Sequence, residues 1–220
     1  MIFYFLKSLT LQEEEIAMAE TIFRTADVGG SGKITRADVV LNSVGRFWKA
    51  DNLITSKPIN SVSELIDFTT ADMVPGILGV GYSIAGVNDK HNKMIVAPNA
   101  HYLEGHKVAT LTLAKIGHRY KSSVRNDMET SAGGVHAMRA EAGIPTNAPF
   151  LIITIGTGIG AKYALLVDGK LVILDSEVGH MVVSSSPFDP RCGDLAIGHV
   201  EGIASGPAID RMVATYLLFY

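Results

Sequence analysis

Two stretches of this sequence share one design, and it limits the fold more than any other feature. "RTADVGGSGKITRADVV", residues 24–40, and "LIITIGTGIGAKYALLV", residues 151–167, each run from an apolar segment through a small-residue turn into a second apolar segment. Glycine weakens a strand, because it has no side chain to pack and loses the most conformational freedom on folding. Gly29, Gly30, Gly156, Gly158 and Gly160 therefore need a reason. A glycine turn lets backbone N–H groups approach an anion closely, since no Cβ intervenes and positive φ is allowed. An ordinary tight hairpin explains either stretch alone equally well. Two familiar phosphate loops fail on spacing: no Gly-Lys-Ser/Thr closes either run, and "GTGIG" is not a full G-x-G-x-x-G ahead of a helix.

The remaining pattern is α/β. Residues 22–54 read as two or three strands, with β-branched residues flanking a Gly29-Gly30 turn and Val44-Gly45-Arg46 marking the next reversal. "SVSELIDFTTADMV" opens with Ser-x-x-Glu and predicts a short helix ending before Pro75; "GILGVGYSIAG" predicts a buried strand. "LEGHKVATLTLAKIGHRYKSSVRND" predicts a helix leading into a short strand, and "METSAGGVHAMRAEAG" a helix opening just after Asp127. Asp168-Gly169 predicts a type I′ hairpin turn, and "GIPTNAP", residues 143–149, a loop. Strands followed by helices recur in both halves.

Composition narrows the function classes. The 220 residues are 47% hydrophobic and 19% charged, enough for one large domain or two small ones. A net charge of -3 and the lack of a Lys/Arg run disfavour a nucleic-acid partner. A single cysteine, Cys192, excludes an internal disulfide framework and fits a reducing cytoplasm. The opening "MIFYFLKSLTLQEEEIA" is too short to span a bilayer and lacks the layout of a signal peptide, so no membrane role is expected. Met18 as the natural start accounts for it, as does a short amphipathic extension.

Placed in order, these pieces resemble the ROK family of sugar kinases and related repressors, within the actin-like, hexokinase-type ATPase fold. The motifs are "DVGGSGKI" for the first phosphate motif, "GVGYSIAG", "APN" at 97–99, "RND" at 125–127, "ITIGTGIGAKYALLVDGKL" for the second phosphate motif, "SEVGHM" at 176–181 and "CGDLAIGHVEGIASG" at 192–206. The resemblance implies two ribonuclease H-like lobes closing on ATP, Mg²⁺ and a hexose. Residues 1–21 are then an extension, 22–125 the N-terminal lobe and 126–220 a C-terminal lobe that is incomplete, since family members continue for about another third of their length.

Roles follow from the resemblance residue by residue. Asp127 matches the catalytic Asp, a carboxylate suited to accept the hydroxyl proton during phosphoryl transfer. An Asn-Asp pair before a helix is also a common N-cap. Asp27 would face Mg²⁺ directly or through water, with Gly29, Gly30 and Ser31 presenting amides to phosphate; Gly32 is an extra residue against the usual spacing. Gly156, Thr157 and Gly158 would grip the nucleotide phosphates. Asn99, Asn126, Glu177, His180 and Glu201 would bind the sugar, whose paired hydroxyls suit carboxylates and amides.

The family's structural zinc site joins a His to three Cys, and here the matching positions hold His180, Cys192, Asp194 and His199. All four can ligate Zn²⁺. A metal-free loop with Cys192 as a buried small residue is the alternative. The expected activity is ATP-dependent phosphorylation of a hexose, glucokinase-like. A noncatalytic sugar-binding or regulatory relative and a truncated inactive fragment are the other readings. The apolar, aromatic "MVATYLLFY" end leaves room for a homodimer.

Overall fold

The computed structural model describes residues 21–29, 33–41, 47–50, 55–73, 76–192 and 195–219. The expectations for the extension before Thr21, for Met18, for Gly30, Ser31 and Gly32, for the Val44–Arg46 reversal, for Pro75 and for Asp194 lie outside the described residues. The chain divides into two compact units, Met1–Pro145 and Thr146–Tyr220.

The first unit is built on a mixed sheet. Strand β1 (Thr21–Val28) pairs antiparallel with β2 (Lys33–Leu41), which also carries β3 (Phe47–Ala50) and β4 (Thr55–Pro58). On its other side β1 runs parallel to β5 (Ile77–Ile84), and β5 parallel to β8 (Lys121–Asn126). The order is β3-β2-β1-β5-β8. A two-stranded ribbon, β6 (Val87–Asn88) with β7 (Met94–Val96), follows β5.

Helix α1 (Val62–Thr70) starts where Ser-x-x-Glu placed it: the Ser61 hydroxyl accepts the Glu64 N–H at 3.2 Å, and the Glu64 carboxylate accepts the Asn60 N–H. Helix α2 (Val108–Ile116) packs against α1 and β8. Tyr82, buried in β5, ties both helices to the sheet, its hydroxyl lying 2.8 Å from Thr69 Oγ1 and 2.7 Å from Thr112 Oγ1. Helix α3 (Asp127–Glu141) packs on β8 and β5.

A central strand flanked on both sides leaves no route to water for Arg24, which is 3% exposed. Its guanidinium is satisfied in place: Nε and Nη2 donate to Asp38 at 2.7 and 2.9 Å, and the remaining donors reach the carbonyls of Thr69, Ala71 and Asp72. Arg36 stacks over Phe68 and donates to its carbonyl. Two cations thus serve the unpaired carbonyls at the C-terminal end of α1.

The second unit opens with an antiparallel sheet of β9 (Phe150–Ile155), β10 (Ile159–Val167) and β11 (Lys170–Ser176). Asp168 and Gly169 turn between the last two with φ of 50° and 73°, as type I′ requires. A 3-10 turn, Val178–His180, is followed by extended chain and then by α4 (Val200–Ala204) and α5 (Gly206–Phe219). Apolar side chains on α5, among them Met212, Leu217 and Leu218, are exposed. No helix among the described residues is long and apolar enough to cross a membrane.

Candidate functional site

The parallel strands of the first unit end together. Asp27 pairs in register with Ser83, Ser83 with Arg125, and Ile84 with Asn126, so the carboxyl ends of β1, β5 and β8 stand side by side. Ligands of open α/β sheets bind at this edge. Asp27 Oδ1 is buried with no hydrogen-bond partner. Burial raises the Asp27 carboxyl above its ordinary value; the Ser83 hydroxyl partly opposes this without reaching hydrogen-bond geometry, and the nearby charge of Asp127 adds to the rise. A buried carboxylate with an orphan oxygen beside a second carboxylate fits a divalent cation or its water.

Asn126 serves α3 as well as the edge. Its Oδ1 accepts the Met128 N–H at 3.0 Å, which is the N-cap geometry, and its Nδ2 donates to the Gly86 carbonyl at 3.0 Å. The two bonds leave one N–H and one lone pair of the amide for another partner. Asp127 stands at the first position of α3, where an acidic group complements the helix dipole. Asn99 is exposed in the turn between β7 and the 3-10 turn His101–Leu103.

In the second unit Gly156–Gly158 forms the turn between β9 and β10, closed by a Gly156 N–H to Gly158 carbonyl bond of 2.9 Å. A Cβ on Gly156 would meet nothing within 4 Å, and its φ lies outside the left-handed range. Neither packing nor backbone conformation demands glycine there. Gly158 differs: a Cβ would lie 2.6 Å from Glu201 Oε2, the oxygen that accepts the Ile159 N–H at 2.9 Å.

His180, Cys192 and His199 converge. His180 Nδ1 is 3.6 Å from Cys192 Sγ and 3.4 Å from His199 Nδ1, and Cys192 Sγ is 3.3 Å from His199 Nδ1. Around a tetrahedral zinc with bonds of about 2.1 Å to nitrogen and 2.3 Å to sulfur, neighbouring donors stand roughly 3.4 Å (N to N) and 3.6 Å (N to S) apart. The triangle agrees with those edges to within about 0.3 Å. Glu177 Oε2 lies 3.9 Å from His180 Nε2, the ring nitrogen not involved in the cluster.

The structure thus brings together Asp27 with Asp127, Asn126 with Asp127, Gly158 with Glu201, and Glu177 and His180 with Cys192 and His199. Sequence reasoning did not single out Ser83, whose only signal is a small hydroxyl side chain in a buried strand. It also missed the Glu201–Ile159 bond, for which no spacing rule exists.

The fold is the actin-like, hexokinase-type ATPase fold. The chain belongs to the ROK family, whose model matches residues 32–217. It is 31% identical to the glucokinase of Aeropyrum pernix over 196 residues, covering 80% of this chain and 59% of that protein's length. The structure of a ROK family glucokinase from Streptomyces griseus in complex with glucose and AMPPNP superposes with a TM-score of 0.58 at 25% identity, covering 88% of this chain and 59% of that one. A ROK family transcriptional regulator, a homologue of the E. coli MLC protein, shares the fold with a TM-score of 0.65 at 18% identity over 90% of this chain and 50% of that one.

Proposed function

We propose that the protein transfers a phosphoryl group from ATP to a hexose hydroxyl, with Asp127 as the general base. The observation that carries this reading is the proximity of Asp127 to the half-buried Asp27, whose Oδ1 is buried without a hydrogen-bond partner, at the ends of the parallel strands. Phosphoryl transfer needs a hydroxyl aligned, its proton accepted and charge neutralised, and this edge has a group for each task. Asn126 holds a neighbouring sugar hydroxyl through the part of its amide that the helix cap leaves over. Asp127 takes the proton as the hydroxyl oxygen forms its bond to phosphorus and the bond to the departing ADP breaks. Asp27 holds Mg²⁺, with Gly29, Gly30 and Ser31 offering amides to phosphate; the bound ion supplies charge neutralisation on the transferring group.

The second unit adds two elements to the same reading. Gly156, Thr157 and Gly158 offer amides to the nucleotide phosphates, which accounts for a glycine at 156 that nothing else requires. Glu177, His180 and Glu201 select the sugar, and Asn99 is assigned the same task by the resemblance alone. His180, Cys192 and His199 would hold Zn²⁺, with Asp194 as fourth ligand by the resemblance; a bound ion would crosslink the chain around the 3-10 turn to the start of α4.

The similarity to a glucokinase and to a sugar kinase bound to glucose and AMPPNP supports a hexose and ATP as substrates. A sugar-binding relative without turnover is the second reading, favoured by the fold shared with a transcriptional regulator. ADP release with Mg-ATP across a panel of hexoses, beside Asp127→Asn, decides between them. Sugar-dependent turnover lost in the variant upholds the kinase; a folded protein that binds a hexose and releases no ADP upholds the second reading.

A further inference from the structure

Ile159, the residue after the 156–158 turn, is buried and held from two sides. Its N–H donates to Glu201 Oε2 at 2.9 Å. Its carbonyl oxygen lies against Gly179, where a Cβ would sit 2.2 Å from it, so the chain on that side approaches as bare backbone. The elements that supply these contacts are bonded to each other: the Val183 N–H donates to the Gly198 carbonyl at 2.8 Å, and the Val200 N–H to the Met181 carbonyl at 3.0 Å. A further bond, from the Gly206 N–H to the Gly156 carbonyl at 2.8 Å, fixes the other end of the turn from the start of α5.

We infer that Glu201 is a positioning residue for the 156–159 loop: its carboxylate anchors the Ile159 N–H and so sets how the Gly156–Gly158 amides are presented to a nucleotide phosphate. The inference rests on the reading of that loop as a phosphate grip. It divides the glycines by what surrounds them. Gly156 has open space at its Cβ position, whereas a Cβ at Gly158 would push the Glu201 carboxylate off the Ile159 N–H. It also gives one side chain of the HVEG segment two tasks. One carboxylate oxygen carries the loop, so a sugar hydroxyl bound at Glu201 and a phosphate bound at the loop meet through a single rigid group.

The test uses the full chain and five forms: wild type, Glu201→Ala, Glu201→Gln, Gly158→Ala and the double variant Gly158→Ala/Glu201→Ala. Amide hydrogen exchange at Ile159 reads the anchor, and binding of Mg-AMPPNP reads the loop. In Glu201→Ala, exchange at Ile159 rises at least about tenfold and AMPPNP affinity falls about tenfold. Glu201→Gln, whose amide oxygen still accepts the N–H, returns both to within about threefold of wild type. Gly158→Ala lowers the melting temperature in the wild-type background and has little effect beside Glu201→Ala, because the clashing carboxylate is gone. Should Glu201→Ala fail to fold, Gly158→Ala displaces the same carboxylate and reads the same anchor. Unchanged exchange at Ile159, or additive effects of the two substitutions, overturns the anchor. Altered exchange with unchanged AMPPNP affinity overturns the positioning role while the contact stands. Wild type that binds no AMPPNP overturns the phosphate-grip reading and the positioning role with it.

Discussion

Strand β1 carries two charged residues three positions apart, and they are treated in opposite ways. Arg24, almost fully buried, has its guanidinium shared between the Asp38 carboxylate and the carbonyls that end α1. Asp27, at the strand's end, keeps a buried oxygen with no partner and faces the charge of a second carboxylate. A buried charge with its valences met belongs to the architecture; one left wanting marks the place where a ligand supplies what the fold does not. The second unit repeats the contrast. Glu201 is engaged with the Ile159 N–H, while His180, Cys192 and His199 gather three ligand-capable atoms within 3.3–3.6 Å of one another.

Four experiments break or sharpen this contrast. The largest effect is expected at the edge of the sheet: Asp127→Asn lowers turnover by about 10³-fold with the fold intact, as loss of a general base does. Steady-state ADP release and a circular dichroism melt check it, and a variant retaining a tenth of wild-type turnover would place the base elsewhere. Arg24→Met comes next, destabilising the protein by about 2–4 kcal/mol because the carbonyls that end α1 and the half-buried Asp38 lose a shared, buried donor. Urea unfolding measures this, and the part restored by Asp38→Leu in the same chain is the part owed to the carboxylate.

The donor triangle is tested by metal analysis. Purified wild type is expected to carry about one zinc per chain and to lose several degrees of melting temperature to a chelator, while His199→Ala carries none and ignores the chelator. Equal metal content in the two proteins would dismiss the cluster as a ligand set. The smallest effect concerns Asp27. Its carboxyl is raised in the folded state, so its contribution to stability is full below the ordinary value of 3.8 and is lost as pH rises through the folded value. Asp27→Asn should therefore melt at or above wild type near neutral pH without Mg²⁺, and the difference should shrink as pH falls toward that value. A variant that melts well below wild type at neutral pH would make Asp27 architectural like Arg24.

Much of the chain was legible before its structure. Ser61 and Glu64 announce the start of α1, Asp168-Gly169 the turn between β10 and β11, and Asn126 the cap of α3, because each acts within a few residues of chain. The order of the glycine turns and of the RND, EVGH and HVEG segments was enough to indicate the family, since local motifs in a fixed order survive whatever packs around them. Asn126 was read both as a cap and as a sugar ligand. Its cap is visible in the structure, and half of its amide is left for the other task.

What only tertiary structure decided depends on register and on crossings between distant segments. No spacing in the sequence says that Ser83 stands beside Asp27; the parallel pairing of β1 with β5 does. Nothing local says that Arg24 is buried, since a basic residue in a strand is ordinary until neighbours close both sides of the strand. The meeting of Glu201 with Ile159, 42 residues earlier, is the plainest case. The sequence by itself determined which elements form and which motifs they carry, because backbone propensity and capping are short-range. The tertiary structure decided which glycine has open space at its Cβ position and which has a neighbouring carboxylate there, because that is a matter of how closely two folded segments approach.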